Sequence, residues 1–101
     1  MESIESLRNK LTPIFSKEPI KRAILFGSYA KGNHTETSDV DIVIDSEGQL
    51  LGLDFFRVLD EMVNVLNIDI DLFEISEIIS GSPMDTIIHN EGITLYERKV
   101  A

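Results

Sequence analysis

Apolar residues Ile4, Leu7, Leu11 and Ile14 recur at intervals of three and four, the spacing of one face of an amphipathic helix, which should end before the break at Lys17, Glu18 and Pro19. From Ile20 to Phe26 the chain carries a short apolar run that stops at Gly27 and reads as a buried strand. Ser28 to Gly32 has room for one helical turn, and Gly32 to Ser38 (GNHTETS) is a polar loop without apolar anchors. Val40 to Ile44 reads as a second strand, closed by the turn-forming residues Asp45 to Gly48. Leu51, Phe55, Val58, Leu59, Met62 and Leu66 return to helical spacing and predict a second amphipathic helix over Leu51–Leu66 that covers one sheet face. Ile68 to Phe73 alternates apolar and acidic residues as a third strand, and Ile75 to Ser80 predicts a short helical turn. Ser82 and Pro83 are an N-cap and first residue for a helix to about Asn90, Gly92 stops it, and Ile93 to Tyr96 predicts a final edge strand. Strands and helices interleave on a short chain. The expected fold class is therefore α/β (α+β): a short mixed β-sheet with helices packed mainly on one face.

The chain has 101 residues, enough for one core but not two, so residues 1–101 are expected to form a single domain with one site. There is no cysteine, so any metal must be held by oxygen or imidazole ligands. No apolar run approaches the roughly 20 residues of a membrane span, and the acidic, amphipathic N-terminus does not resemble a signal peptide. A cytoplasmic protein without membrane contact is expected. The net charge of −9 is uneven: residues 1–31 carry six Lys/Arg against three Asp/Glu, and residues 32–101 carry three against fifteen. That acidic remainder argues against direct nucleic-acid binding and favours cations or a basic protein partner.

The candidate chemistry follows from the order of the elements. A strand that ends in Gly27 and Ser28, followed by a loop and a strand with Asp39 and Asp41, brings backbone N–H donors and two carboxylates to one end of a sheet. Gly27 lets the chain turn and approach a phosphate, and the Ser28 hydroxyl with the following amides can bind phosphate oxygens. Asp39 and Asp41 would point to one face of an extended strand, about 6.6 Å apart along its axis, where their oxygens can converge on a cation. Asp69 and Asp71 repeat the pattern on the third strand, and Mg²⁺ prefers such hard oxygen ligands. Asp71 is also placed to accept the proton of an attacking hydroxyl. Lys31 lies at a spacing from Ser28 that suits neutralisation of a phosphate, whereas His34, in the polar loop, reads as a surface residue. Asp45 and Asp69 read as surface or supporting acids.

Residues 27 to 44, GSYAKGNHTETSDVDIVI, resemble the signature of the DNA polymerase beta nucleotidyltransferase superfamily. Within it the chain is similar to the minimal nucleotidyltransferases, whose usual form is Gly-Ser-x-Ala-Arg-Gly followed by a Ser-Asp-x-Asp strand. Lys31 stands where arginine is commoner, keeping the charge but not the bidentate fork. The resemblance implies a polymerase-beta-like fold with ATP as donor, two bound Mg²⁺, and Asp39, Asp41 and a third carboxylate as catalytic metal ligands. The third is matched by Asp71 between Ile70 and Leu72, with Asp69 as its rival. It also implies a partner. Minimal nucleotidyltransferases of this length resemble the antitoxin halves of HEPN/MNT toxin–antitoxin pairs, in which AMP passes from ATP to a tyrosine of a HEPN ribonuclease toxin.

Two other readings compete. An enzyme of the same superfamily could adenylylate a small molecule, although no second domain is evident in this chain to build an acceptor pocket. Alternatively, a non-catalytic antitoxin could neutralise its toxin by complex formation. A P-loop ATPase is set aside because no Gly-Lys-Ser/Thr follows the glycine turn.

Overall fold

A computed structural model describes residues 2–99. Helix α1 (Ile4–Lys17) opens with Ser3, whose hydroxyl accepts a hydrogen bond from the Ser6 N–H at 3.0 Å. The strands are β1 (Arg22–Phe26), β2 (Val40–Asp45), β3 (Ile70–Glu74) and β4 (Ile93–Glu97), and the sheet order is β3-β2-β1-β4. β1 runs antiparallel to both β2 and β4, whereas β2 and β3 are parallel. The parallel pair needs a crossover, supplied by α3 (Leu53–Leu66). The expected mixed sheet with β4 at an edge is therefore the one observed.

The two sheet faces are unequal. On the larger, Leu7, Leu11 and Phe15 of α1 and Val58, Met62 and Leu66 of α3 meet Leu25, Ile42 and Ile44 of the strands, all at or near zero exposure. Each such side chain contributes about 1.5–3 kcal/mol by leaving water. The opposite face is covered by α4 (Pro83–Glu91) and a 3₁₀ turn (Ile75–Glu77), with Ile88 packed on Phe26 and Val43. Helices thus lie mainly on one face, with α4 and the 3₁₀ turn covering part of the other. Its start is fixed as expected: Ser82 Oγ accepts from the Asp85 N–H at 3.2 Å, and Pro83 occupies the first turn.

Three elements start later than the sequence expectation. β1 begins at Arg22 and β3 at Ile70, two residues later than predicted in each case, because Ile20 and Ile68 pack against the main core without pairing in the sheet. α3 begins at Leu53 rather than Leu51: Gly52, with φ of 56°, caps it, and Leu51 is left outside the helix and largely exposed. A bulge in the β1–β4 register lets the consecutive residues Leu95 and Tyr96 both pack against the main core. Among the described residues, no helix is long and apolar enough to cross a membrane.

Candidate active site

The parallel and antiparallel pairings bring three residues abreast. Phe26 at the end of β1 pairs with Asp41 on β2, and Asp41 pairs with Asp71 on β3. The two carboxylates are therefore neighbours across the sheet, on the face that also carries Val43 and Phe73. Burial pushes the Asp41 carboxyl up to about 6, and the charge of Asp71, hydrogen bonding with it, and the charge of Asp39 push in the same direction.

Gly27 follows Phe26 with φ of 77° and ψ of −154°, a conformation that residues with a Cβ rarely adopt. A Cβ placed there would overlap the Oδ2 of Asp41. Next comes the predicted helical turn, α2 (Ser28–Lys31), whose Lys31 N–H donates to the Gly27 carbonyl at 3.1 Å; Gly32 closes it in the left-handed conformation. The sharp return seats Ser28 and Lys31 beside the carboxylates. Gly27, Ser28, Lys31, Asp41 and Asp71 line one cleft of about 430 Å³, with Phe73, Met84 and Ile87 among its other walls. Lys31 Nζ lies 3.5 Å from a carboxylate oxygen of Glu91 on α4.

Asp39 lies one residue before β2 and is exposed. It lines a neighbouring hollow with Glu36 and Asp69, while its charge still acts on Asp41. Asp69 is exposed just before β3, and its backbone carbonyl accepts from the Val40 N–H at 3.0 Å. Only Asp71 of that pair faces the cleft containing Asp41. His34 is not the free surface residue expected from its polar loop. Its ring stacks on that of buried Tyr29, with centroids 3.9 Å apart and planes 8° from parallel, and its Nδ1 is buried. Asp45 lies at the far end of β2, where it caps the following turn by accepting from the Glu47 N–H.

The donor set suits a divalent cation. Asp41 and Asp71 offer hard oxygen ligands side by side, and a cation between them would relieve the repulsion and burial that raise the Asp41 carboxyl. Among the described residues, no three acidic or histidine side chains converge as a preformed metal cage. The arrangement is instead an open pair of ligands, Asp41 and Asp71, with Asp39 in the neighbouring hollow, and Mg²⁺ characteristically keeps positions for water and phosphate oxygens.

Sequence reasoning did not anticipate Met84 and Ile87 as walls of this cleft. Their spacing of three residues on a helix beginning at Pro83 is a legible amphipathic signal. The sheet face on which that helix lands is set by long-range packing.

The family model described as polymerase beta, nucleotidyltransferase matches residues 9–101. An inferred protein adenylyltransferase of Methanocaldococcus jannaschii is 39% identical over 77 residues, covering 75% of this chain and 82% of that protein. A second from the same organism is 38% identical over 68 residues, covering 67% and 79%. Among solved structures, a toxin–antitoxin complex with AMP-PNP contains a chain that superposes with a TM-score of 0.77 at 20% identity, covering 91% of this chain and 74% of that one. A chain of the tri-AMPylated Shewanella oneidensis HEPN toxin in complex with MNT antitoxin superposes at 0.72 with 18% identity, covering 94% and 73%. At these identities the superpositions establish a shared fold. The sequence matches go further: this chain belongs to the polymerase beta nucleotidyltransferase family.

Proposed function

We propose that this chain transfers AMP from ATP to a hydroxyl of a protein partner, a tyrosine of a HEPN-type ribonuclease toxin, and thereby acts as a cytoplasmic antitoxin. The observation that carries the reading is the close approach of Gly27 to Asp41: a glycine that admits no side chain abuts one carboxylate, and that carboxylate is paired across the sheet with a second, Asp71. The names of the M. jannaschii relatives and of the superposing toxin–antitoxin complexes point the same way.

In this reading Gly27 and Ser28 hold the triphosphate through backbone N–H groups and the Ser28 hydroxyl, and Lys31 offsets its negative charge. Asp39, Asp41 and Asp71 would hold two Mg²⁺, which would supply charge neutralisation at the reacting phosphate. Asp71, exposed at the head of β3, accepts the proton of the incoming hydroxyl. The hydroxyl oxygen forms a bond to the α-phosphorus, the bond from that phosphorus to the bridging oxygen breaks, and pyrophosphate leaves. The exposure of Asp39 and Asp71 leaves the carboxylate edge accessible to a macromolecular acceptor, which a protein surface can complete and orient.

The test is incubation of this chain with ATP, Mg²⁺ and a HEPN-type protein encoded beside it, followed by intact-mass measurement. The expected result is one or more added AMP units on the HEPN protein, lost with Asp41→Asn. An unmodified HEPN protein inhibited by stoichiometric complex formation would overturn the reading in favour of a binding module. AMP transfer to a small molecule alone would overturn the choice of acceptor.

A further inference from the structure

An exposed apolar patch that the proposed chemistry does not use lies at the start of α3. Leu51, Leu53 and Phe56 are 68%, 87% and 62% exposed, three large apolar side chains within six residues at the start of α3. They lie off the buried stripe of that helix, which is formed by Val58, Met62 and Leu66. Leu51 and Phe56 line a groove of about 290 Å³ whose other wall is β3 and the turn after it, including Leu72, Phe73 and Glu77. Apolar clusters of this kind at a groove mark interaction sites more often than isolated exposed residues do.

Three observations define what fits. The groove is firm: Glu74 at the end of β3 is buried and accepts hydrogen bonds from Ser46 N–H at 3.2 Å and Ser46 Oγ at 2.7 Å, while Ser46 Oγ accepts from Leu50 N–H at 3.2 Å. This network ties the chain entering Leu51 to β3. Phe73 lines both this groove and the cleft of the candidate active site, so the two are neighbours along β3. Finally, the groove is lined by Glu74 and Glu77 and by no Lys or Arg, with exposed Asp54 on the helix beside it; Arg57, the single Lys/Arg of residues 51–77, is already engaged by Glu18, Asp54 and Glu61.

We infer that this groove is the docking surface for an apolar segment, flanked by lysine or arginine, of the protein that receives AMP. The identity of that protein as acceptor rests on the function proposed above; the groove and its charge do not. Apolar side chains of the segment cover Leu51, Leu53 and Phe56, and its cations face the acidic rim. The outer edge of β3 has no neighbouring strand among the described residues, so its backbone groups can pair with an extended segment. A chain lying along β3 passes Phe73 and reaches Asp71, so docking there delivers an acceptor hydroxyl to the carboxylates.

The test compares the wild-type chain with Leu53→Ser/Phe56→Ser, both changes being at exposed positions. The probe is a fluorescent peptide with a Leu-Tyr-Leu core and two lysines on each side, and the control peptide carries glutamates instead. Fluorescence anisotropy should show binding of the lysine peptide by the wild type and a loss of about tenfold or more in affinity for the double variant and for the glutamate peptide. Calorimetric ATP affinity with Mg²⁺ should be unchanged by the double substitution. Equal peptide affinity of the two proteins, or no peptide binding by either, overturns the docking surface. So does wild-type dimerisation that the double substitution abolishes, since the patch then belongs to a second copy of the chain. Selective peptide binding without any ATP binding sinks the nucleotide-transfer reading and leaves the docking surface standing.

Discussion

Gly27 and Asp41 occupy one small volume: the backbone of the glycine passes so close to the carboxylate that a Cβ would overlap Asp41 Oδ2. The left-handed φ of 77° imposes glycine a second time and independently. Gly27→Ala should therefore shift Asp41 and strain the turn, with a loss of stability on the order of 1–3 kcal/mol. Thermal unfolding and calorimetric titration of ATP with Mg²⁺ check this. A variant as stable as wild type with unchanged ATP affinity would show that the turn yields without cost and that its closeness to Asp41 has no role in binding.

Asp41 should make the metal-free protein less stable at neutral pH than its asparagine variant. Its carboxyl is pushed up to about 6 in the folded chain, and ordinary aspartates lie near ~4 in the unfolded one. Between those values the folded state binds more protons, so stability falls as pH rises through the window and the cost is complete above it. A full displacement of that size corresponds to about 3 kcal/mol, and solvent screening at a half-exposed group leaves on the order of 1–2 kcal/mol. Asp41→Asn should gain that amount at pH 8 in the presence of EDTA, and the gain should vanish near pH 3.5. Mg²⁺ should raise the melting temperature of the wild type more than that of the variant. Denaturant unfolding at the two pH values measures the first effect, and lower stability of the variant at pH 8 would reverse the assignment of Asp41 as a strained carboxylate.

Arg57 links α3 to the loop after α1. Its Nη1 and Nη2 donate to the two oxygens of Glu18, each at 2.9 Å, and this bidentate hydrogen bonding holds the Glu18 carboxyl below its ordinary range. The sign is opposite to that of Asp41. A depressed carboxyl contributes stability above its unfolded pKa and loses it as pH falls through the folded value. Arg57→Met should thus be less stable than wild type at pH 7, with the gap closing below about pH 4. Urea midpoints at a series of pH values provide the measurement; a gap that persists unchanged into acid would assign the effect to packing of the Arg57 stem.

The elements of the site were legible because each has a local cause. Gly27 ends an apolar run, Ser82 and Pro83 start a helix, and the Asp39–Asp41 and Asp69–Asp71 alternations follow strand period. The resemblance favoured Asp71 in its Ile70-Asp71-Leu72 context, but strand period alone left Asp69 as a rival, since both have the same parity. The distinction comes from where β3 begins and from its register, Asp41 opposite Asp71, and both are long-range properties. Leu51 was misplaced on the buried helix face because its spacing to Phe55 and Val58 is helical, yet Gly52 delays the helix start and turns Leu51 outward. His34 looked free because no apolar neighbour in sequence announced the Tyr29 ring beneath it.

The choice between Asp69 and Asp71 can be made by substituting each alone. Asp71 lies opposite Asp41 and lines the same cleft as Gly27 and Ser28, so Asp71→Asn removes a charge that acts directly on Asp41 and on any phosphate held there. It should reduce AMP transfer by about a hundredfold or more, as loss of a group stabilising transferred charge commonly does. Asp69 contributes its backbone carbonyl to the Val40 N–H, and an asparagine retains that carbonyl while its side chain faces the separate hollow near Glu36. Asp69→Asn should consequently leave both transfer and ATP affinity close to wild type. Circular dichroism melts should show that each variant is folded before rates are compared. If Asp69→Asn is the inactive variant and Asp71→Asn transfers AMP normally, the third carboxylate is Asp69, and the register of β3 against β2 does not mark the reacting edge of the sheet.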